Sequence, residues 1–112
     1  MFGLANLAQR RPVFCALLGA HGLLDNASKW YQGGPACDAR GRMVRHDDDG
    51  AVCFCAHAAV WQFEPDPYDP SPSATLDAVG LSFGFNDAAS TTFQMVKSKL
   101  TDALSLAWER GV

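Results

Sequence analysis

The sequence predicts a mainly α domain, α+β in class, with about four helices packed around one core and a short β-hairpin between the first and second helices. Three observations carry this reading. Four stretches place apolar residues at helical spacing, one stretch of aromatic and β-branched residues is broken by Asp38-Ala39-Arg40-Gly41, and the run from Glu64 to Pro72 holds four of the six prolines with no helical period. With 112 residues, 48% hydrophobic and 19% charged, the chain is long enough to bury one core and is read as a single domain over 1–112.

The first helix is expected from about Pro12 to Asn26, with Val13, Leu17, Ala20 and Leu24 on one face. Pro12 suits a first helical turn, where its missing N–H would have no partner anyway. Gly19 and Gly22 weaken this helix unless they admit a close neighbour. Before it, Gln9-Arg10-Arg11-Pro12 and the apolar run to Ala20 have some of the look of an export signal. His21 and the glycines interrupt the run, and no small-x-small cleavage site is followed by a clear mature start, so the stretch is read as part of the domain. Trp30-Tyr31-Gln32-Gly33 then leads into the hairpin, whose turn places Gly41 where a positive φ is needed.

The second helix is expected over Ala51 to about Phe63. One stripe carries Val52, Cys55, Ala56, Ala59, Val60 and Phe63, and another carries Phe54, His57 and Trp61. Asp47, Asp48 and Asp49 precede it as expected caps, and the proline-rich run that follows reads as an extended, polyproline-like surface loop. A third helix begins at Ser71-Pro72 and turns Leu76, Val79 and Phe83 inward. The fourth begins after the Phe85-Asn86-Asp87 turn, with Thr91 and Gln94 at capping-box spacing. It carries Phe93, Val96, Leu100, Ala103, Leu104, Ala107 and Trp108 on one face.

Function is less legible than fold. A net charge of −3 gives no basic footprint for phosphate backbones, so nucleic-acid binding by charge is not expected, and no apolar run is long enough for a membrane span. No phosphate-binding glycine loop occurs. Cys53-x-Cys55-x-His57, with Cys37 and His46, offers zinc-type ligands. On a helix, however, Cys53 and Cys55 diverge and there is no Cys-x-x-Cys, so neither metal nor cofactor is expected. The four cysteines are read as reduced thiols of a cytoplasmic protein. Cys37, near Arg40 and Arg42, is the one cysteine with a setting suited to a nucleophile, which makes a small cysteine-dependent enzyme the rival reading and a zinc-dependent regulator the third. Asn86 and Asp87 read as turn and cap residues, and His57 as a core histidine.

The order of these features, from the aliphatic helix through Trp30-Tyr31-Gln32-Gly33, the Cys53-to-Ala58 segment and Phe85-Asn86-Asp87, resembles a small uncharacterised bacterial and phage domain family of unknown function. Its members share a tryptophan-glycine segment, a Cys-x-x-Gly-Ala helix and a Phe-Asn-Asp turn before a C-terminal helix. Ala58 matches the alanine of that motif, whereas His57 stands in place of its glycine. The resemblance covers most of residues 13 to 108 and implies a small, mainly helical domain, with no catalytic residues to carry over.

The expectation is a non-enzymatic protein-interaction module. The phage resemblance suggests an accessory or inhibitor protein acting on a host protein such as a defence enzyme. Two segments offer aromatics outside the helical stripes: the hairpin entrance with Trp30 and Tyr31, and the proline-rich loop with Tyr68 among Glu64, Asp66 and Asp69. The acidic flanks favour a basic partner surface.

Overall fold

The computed structural model describes residues 4–66 and 68–112, with side chains from residue 7 onward; Pro67, one of the loop's four prolines, lies outside the described residues. The described elements are α1 (Leu4–Arg10), α2 (Pro12–Leu23), a 3-10 turn (Ala27–Lys29), β1 (Ala36–Cys37), β2 (Met43–Val44), β3 (Cys53–Phe54), α3 (Ala56–Trp61), α4 (Ser71–Ala78), α5 (Phe83–Asp87) and α6 (Phe93–Arg110). The fold is mostly helical around one apolar core, with a small antiparallel sheet of strand order β2-β1-β3.

Helix α2 is the hub, packing against α6, α3, α4 and α1. Val13, Leu17, Ala20 and Leu24 are all buried, as their spacing predicts. Gly19 is the close-approach glycine: a Cβ there would lie 2.4 Å from Cγ of Phe63, whereas nothing stands within 4 Å of one at Gly22. Helix α6 buries Val96, Leu100, Ala103 and Ala107, while Trp108 at its end is 49% exposed and stacks beneath the Arg11 guanidinium at 3.7 Å. Its N-cap is Thr92 rather than Thr91. The Thr92 hydroxyl accepts from Met95 N at 3.2 Å, and Thr91 is buried one residue earlier.

A hairpin forms about the expected turn, but between the second and third of six described α-helices rather than the first and second of about four, and as part of a three-stranded sheet. Asp38 closes its turn by accepting from the N–H groups of Arg40 and Arg42, both at 2.9 Å, and Gly41 adopts φ +78°. Two paired strands need a further partner in water. That partner is β3, from residues whose pattern predicts the start of a helix. Residues 51–54 are extended, α3 is only Ala56–Trp61, and Cys55 is its N-cap, with Sγ accepting from Ala58 N at 3.3 Å. Val52 and Phe63, expected inward, are consequently 51% and 45% exposed. The period misled because Ala56 through Val60 are buried all round, so small apolar residues fit a buried strand and a buried helix equally well.

Asp47 and Asp48 therefore cap no helix. Asp47 pairs with Arg45 at 3.1 Å, and Asp48 accepts from Gly50 N at 2.7 Å in a turn. The proline-rich loop is not a continuous extended rod either. Asp69 N reaches Asp66 O at 3.1 Å, and Asp66 and Asp69 accept from the N–H groups of Tyr68 and Ser71 at 2.9 Å. Asx turns at Asp66 and Asp69 break the run.

The cysteine reading needs the largest correction. Cys37 and Cys53 stand opposite each other in the β1–β3 register, with Cα atoms 5.2 Å apart, and form a disulfide. Only an extended residue 53 makes this pairing possible, which is why a helical reading of that segment conceals it. Cys15 and Cys55 are free.

Candidate functional site

The tryptophan-glycine segment and the Phe-Asn-Asp turn, far apart in sequence, are joined by one buried side chain. Asn86 is fully buried on α5. Its Oδ1 accepts from Trp30 Nε1 at 2.9 Å and Ala56 N at 3.0 Å, and its Nδ2 donates to Tyr31 O at 3.0 Å and Asp87 Oδ1 at 2.9 Å. Gln32 Nε2 reaches the carbonyls of Asn86 and Ala88, both at 3.0 Å, and Gly33 N donates to Asp87 Oδ1 at 3.0 Å. A side-chain amide with all four of its contacts satisfied is a structural rivet. It fixes the strand entrance, the start of α3 and α5 at one point. Asn86 and Asp87 thus serve the fold, although by cross-linking three segments rather than by capping a helix.

Trp30 and Tyr31 belong to this rivet, and both are only half-exposed. The expected docking residues accordingly separate. Glu64, Tyr68 and Asp69 line one hollow, Asp66 lies on the exposed loop beside them, and Trp30 and Tyr31 stand outside its lining.

That hollow, about 460 Å³, is walled by Trp61, Phe83 and His46, with Glu64, Tyr68 and Asp69 along its loop side. A second hollow of about 360 Å³ shares His46, Trp61 and Phe83 and continues past Arg45 to Gly34 and Asp87. Together they form one groove between the end of β2, the end of α3, and the starts of α4 and α5. Its floor is aromatic: His46 meets Trp61 edge-on at 4.9 Å, Trp61 lies 6.1 Å from Phe83, and Phe83 stacks on His57 at 4.2 Å. Tyr68 is 91% exposed and Phe83 51%.

The floor is held rigidly. Trp61 Nε1 donates to Ser73 Oγ at 3.1 Å, and Gln62 Nε2 ties α3 to the strand by donating to His46 O at 2.8 Å. His57 is fully buried beneath Phe83 with Nε2 2.8 Å from Leu81 O, and burial holds its basicity below the ordinary value. It is therefore the neutral core histidine that its place on the second stripe predicts. Nε2–H donates to Leu81 O, and Nδ1 is left without a partner among the described residues.

Glu64 is the unusual group of the groove. Its Oε2 is buried and has no hydrogen-bond partner among the described residues. Burial, with the carboxylates of Asp69 and Asp66 adding to it, pushes its pKa up to about 7. Nothing in the sequence marks Glu64 beyond its acidic neighbours; the signal arises only when the loop folds over α3.

The rival sites are weaker. Paired with Cys53, Cys37 carries no thiol, and burial raises the Cys55 thiol above its ordinary value, which disfavours a thiolate. Among the described residues no group of three or more His, Cys, Asp or Glu side chains is disposed to hold a metal ion. No helix among them is long and apolar enough to cross a membrane. No protein-family model, curated protein or solved structure matches the chain.

Proposed function

We propose that this protein is a non-enzymatic interaction module that docks a protein partner in the groove over Trp61 and Phe83, with the acidic loop contacting a basic surface of that partner. The observation that supports this is the rigid, partly exposed aromatic floor beside Glu64, Asp66 and Asp69. Anchored aromatics contribute disproportionately to interface energy, because little side-chain entropy is lost when they are covered. In the specific form that the phage resemblance suggests, the partner is a host protein such as a defence enzyme. A cytoplasmic location is part of the same reading, although the Cys37–Cys53 disulfide is of a kind that persists in oxidising compartments.

A photo-crosslinking amino acid placed at residue 68, compared with one at residue 108, tests the docking reading in cells. The reading expects a discrete adduct from position 68, weakened by Asp66→Asn with Asp69→Asn, which removes both charges but keeps the Oδ1 acceptors of the two Asx turns. Adducts from position 108 alone, or adducts indifferent to the loss of charge, would remove the groove as the docking surface.

A further inference from the structure

We infer that the hollow between Trp61, Tyr68 and Phe83 is a binding site for an alkylammonium group, the side chain of a partner lysine, with Glu64 and Asp69 as its counter-charges. This deepens the docking reading and rests on it for the lysine's source, while the chemistry of the hollow stands by itself. An ammonium ion over an aromatic face is attracted by the ring quadrupole, more so when partly desolvated. The hollow presents aromatic rings on two sides, from α3 and α5 and from the loop, and carboxylates on the loop side. Glu64 lines the hollow and is only partly buried, so its carboxylate can turn to meet an ammonium, which is all donor and no acceptor and supplies the donor that Oε2 lacks among the described residues. The Trp61 indole N–H is already bound to Ser73, so the ring is fixed in orientation on the wall of the hollow. Nothing cationic in the described fold is paired with Glu64: Arg45 is bound to Asp47, and it lines the neighbouring hollow.

Proton release accompanies binding. Near neutrality Glu64 is partly protonated, and a bound cation favours its carboxylate, so affinity for ammonium rises as pH rises through about 7 and then levels off. The groups facing Glu64 are Asp66, Asp69 and Tyr68 from the loop and His46 from the strand end. Arg45 and Asp87 lie in the adjoining hollow, and Cys15 lies across the shallow hollow on its other side. His46 also lines the hollow, so the Glu64 part is isolated by substitution.

The test is titration of the full chain with blocked Gly-Lys-Gly peptide, its Nζ-trimethyl form and its norleucine analogue, followed by amide NMR shifts at about pH 5.5 and about pH 8. The lysine peptide is expected to bind about tenfold more tightly than the norleucine analogue, a difference of the size cation–π and ion pairing supply together, with the Nζ-trimethyl form, which keeps the charge but has no N–H to give Glu64, falling between them. Affinity should rise between the two pH values, and Glu64→Gln should flatten most of that rise while the spectrum stays folded. Equal binding of norleucine, no saturable shift with any peptide, or an unaltered pH dependence in Glu64→Gln would each overturn the inference. A position-68 crosslink to a partner that survives Glu64→Gln would leave the docking reading standing while the ammonium site falls.

Discussion

Replacing Asn86 with alanine removes the rivet between the tryptophan segment, α3 and α5, and its cost can be worked from the contacts. Four hydrogen bonds are lost, at 2.9 to 3.0 Å. Each is worth about 1 kcal/mol net, but the groups left behind matter more. Ala56 N–H is fully buried, and the Trp30 indole N–H and Tyr31 carbonyl are half-buried, so a buried donor and two partly buried groups lose their partner at once. The expected loss is about 4 kcal/mol, a large fraction of the stability of an ordinary domain, and about 15 °C in Tm at this size. Urea unfolding followed by tryptophan fluorescence measures it. Trp30→Phe alone should cost about 1 kcal/mol, and the double variant should cost less than the sum, because both substitutions remove the same bond. A loss below about 1 kcal/mol for Asn86→Ala would refute the claim that this network organises the fold.

Other consequences follow from single contacts. Gly22→Ala should stabilise by about 0.5–1 kcal/mol, since nothing obstructs a new Cβ in α2, while Gly19→Ala should destabilise unless the Phe63 ring is displaced. Thr92→Ala should lower stability by about 1 kcal/mol in thermal melts, as loss of an N-cap does, and more than Ser105→Ala on the same helix. Protein purified under oxidising conditions should show two alkylatable thiols when unfolded, and four after reduction. Reduction should cost about 3 kcal/mol, given the separation of 16 residues between Cys37 and Cys53. Glu64 binds its proton more tightly folded than unfolded, so its contribution to stability is full below its ordinary pKa of 4.5 and falls as pH rises through about 7. Urea midpoints of Glu64→Gln should therefore decline less than those of the parent across that window.

The helices whose residues face one core on one side were legible in the chain. Val13 to Leu24 and Val96 to Ala107 keep a period because one face of each meets solvent. The segment from Ala51 to Trp61 was not, because its residues from Cys53 onward are buried on nearly every side until Trp61. With polar residues absent there is no phase to read, and a strand, a cap and a short helix share one apolar run. The disulfide was hidden by the same ambiguity. Glu64, Tyr68 and Asp69 were named from composition, yet their partners Trp61, Phe83 and His46 were assigned to a stripe, an inward face and a hypothetical metal set. What brings them together is the double Asx turn of the loop and the placement of α5 by Asn86, both products of tertiary contact. Residues 30–33 and 85–87 lie far apart in the chain, and nothing in their spacing shows the hydrogen bonds by which Asn86 and Asp87 join them.

The location of the docking site is tested most directly by the three tryptophan indole N–H signals, one on each of three distinct surfaces: Trp61 in the groove, Trp30 bound to Asn86, and Trp108 beneath Arg11. On titration with the lysine peptide, the account predicts a saturable shift of the Trp61 indole signal, with those of Trp30 and Trp108 unmoved. A shift confined to Trp108 or Trp30, with Trp61 silent, would contradict it.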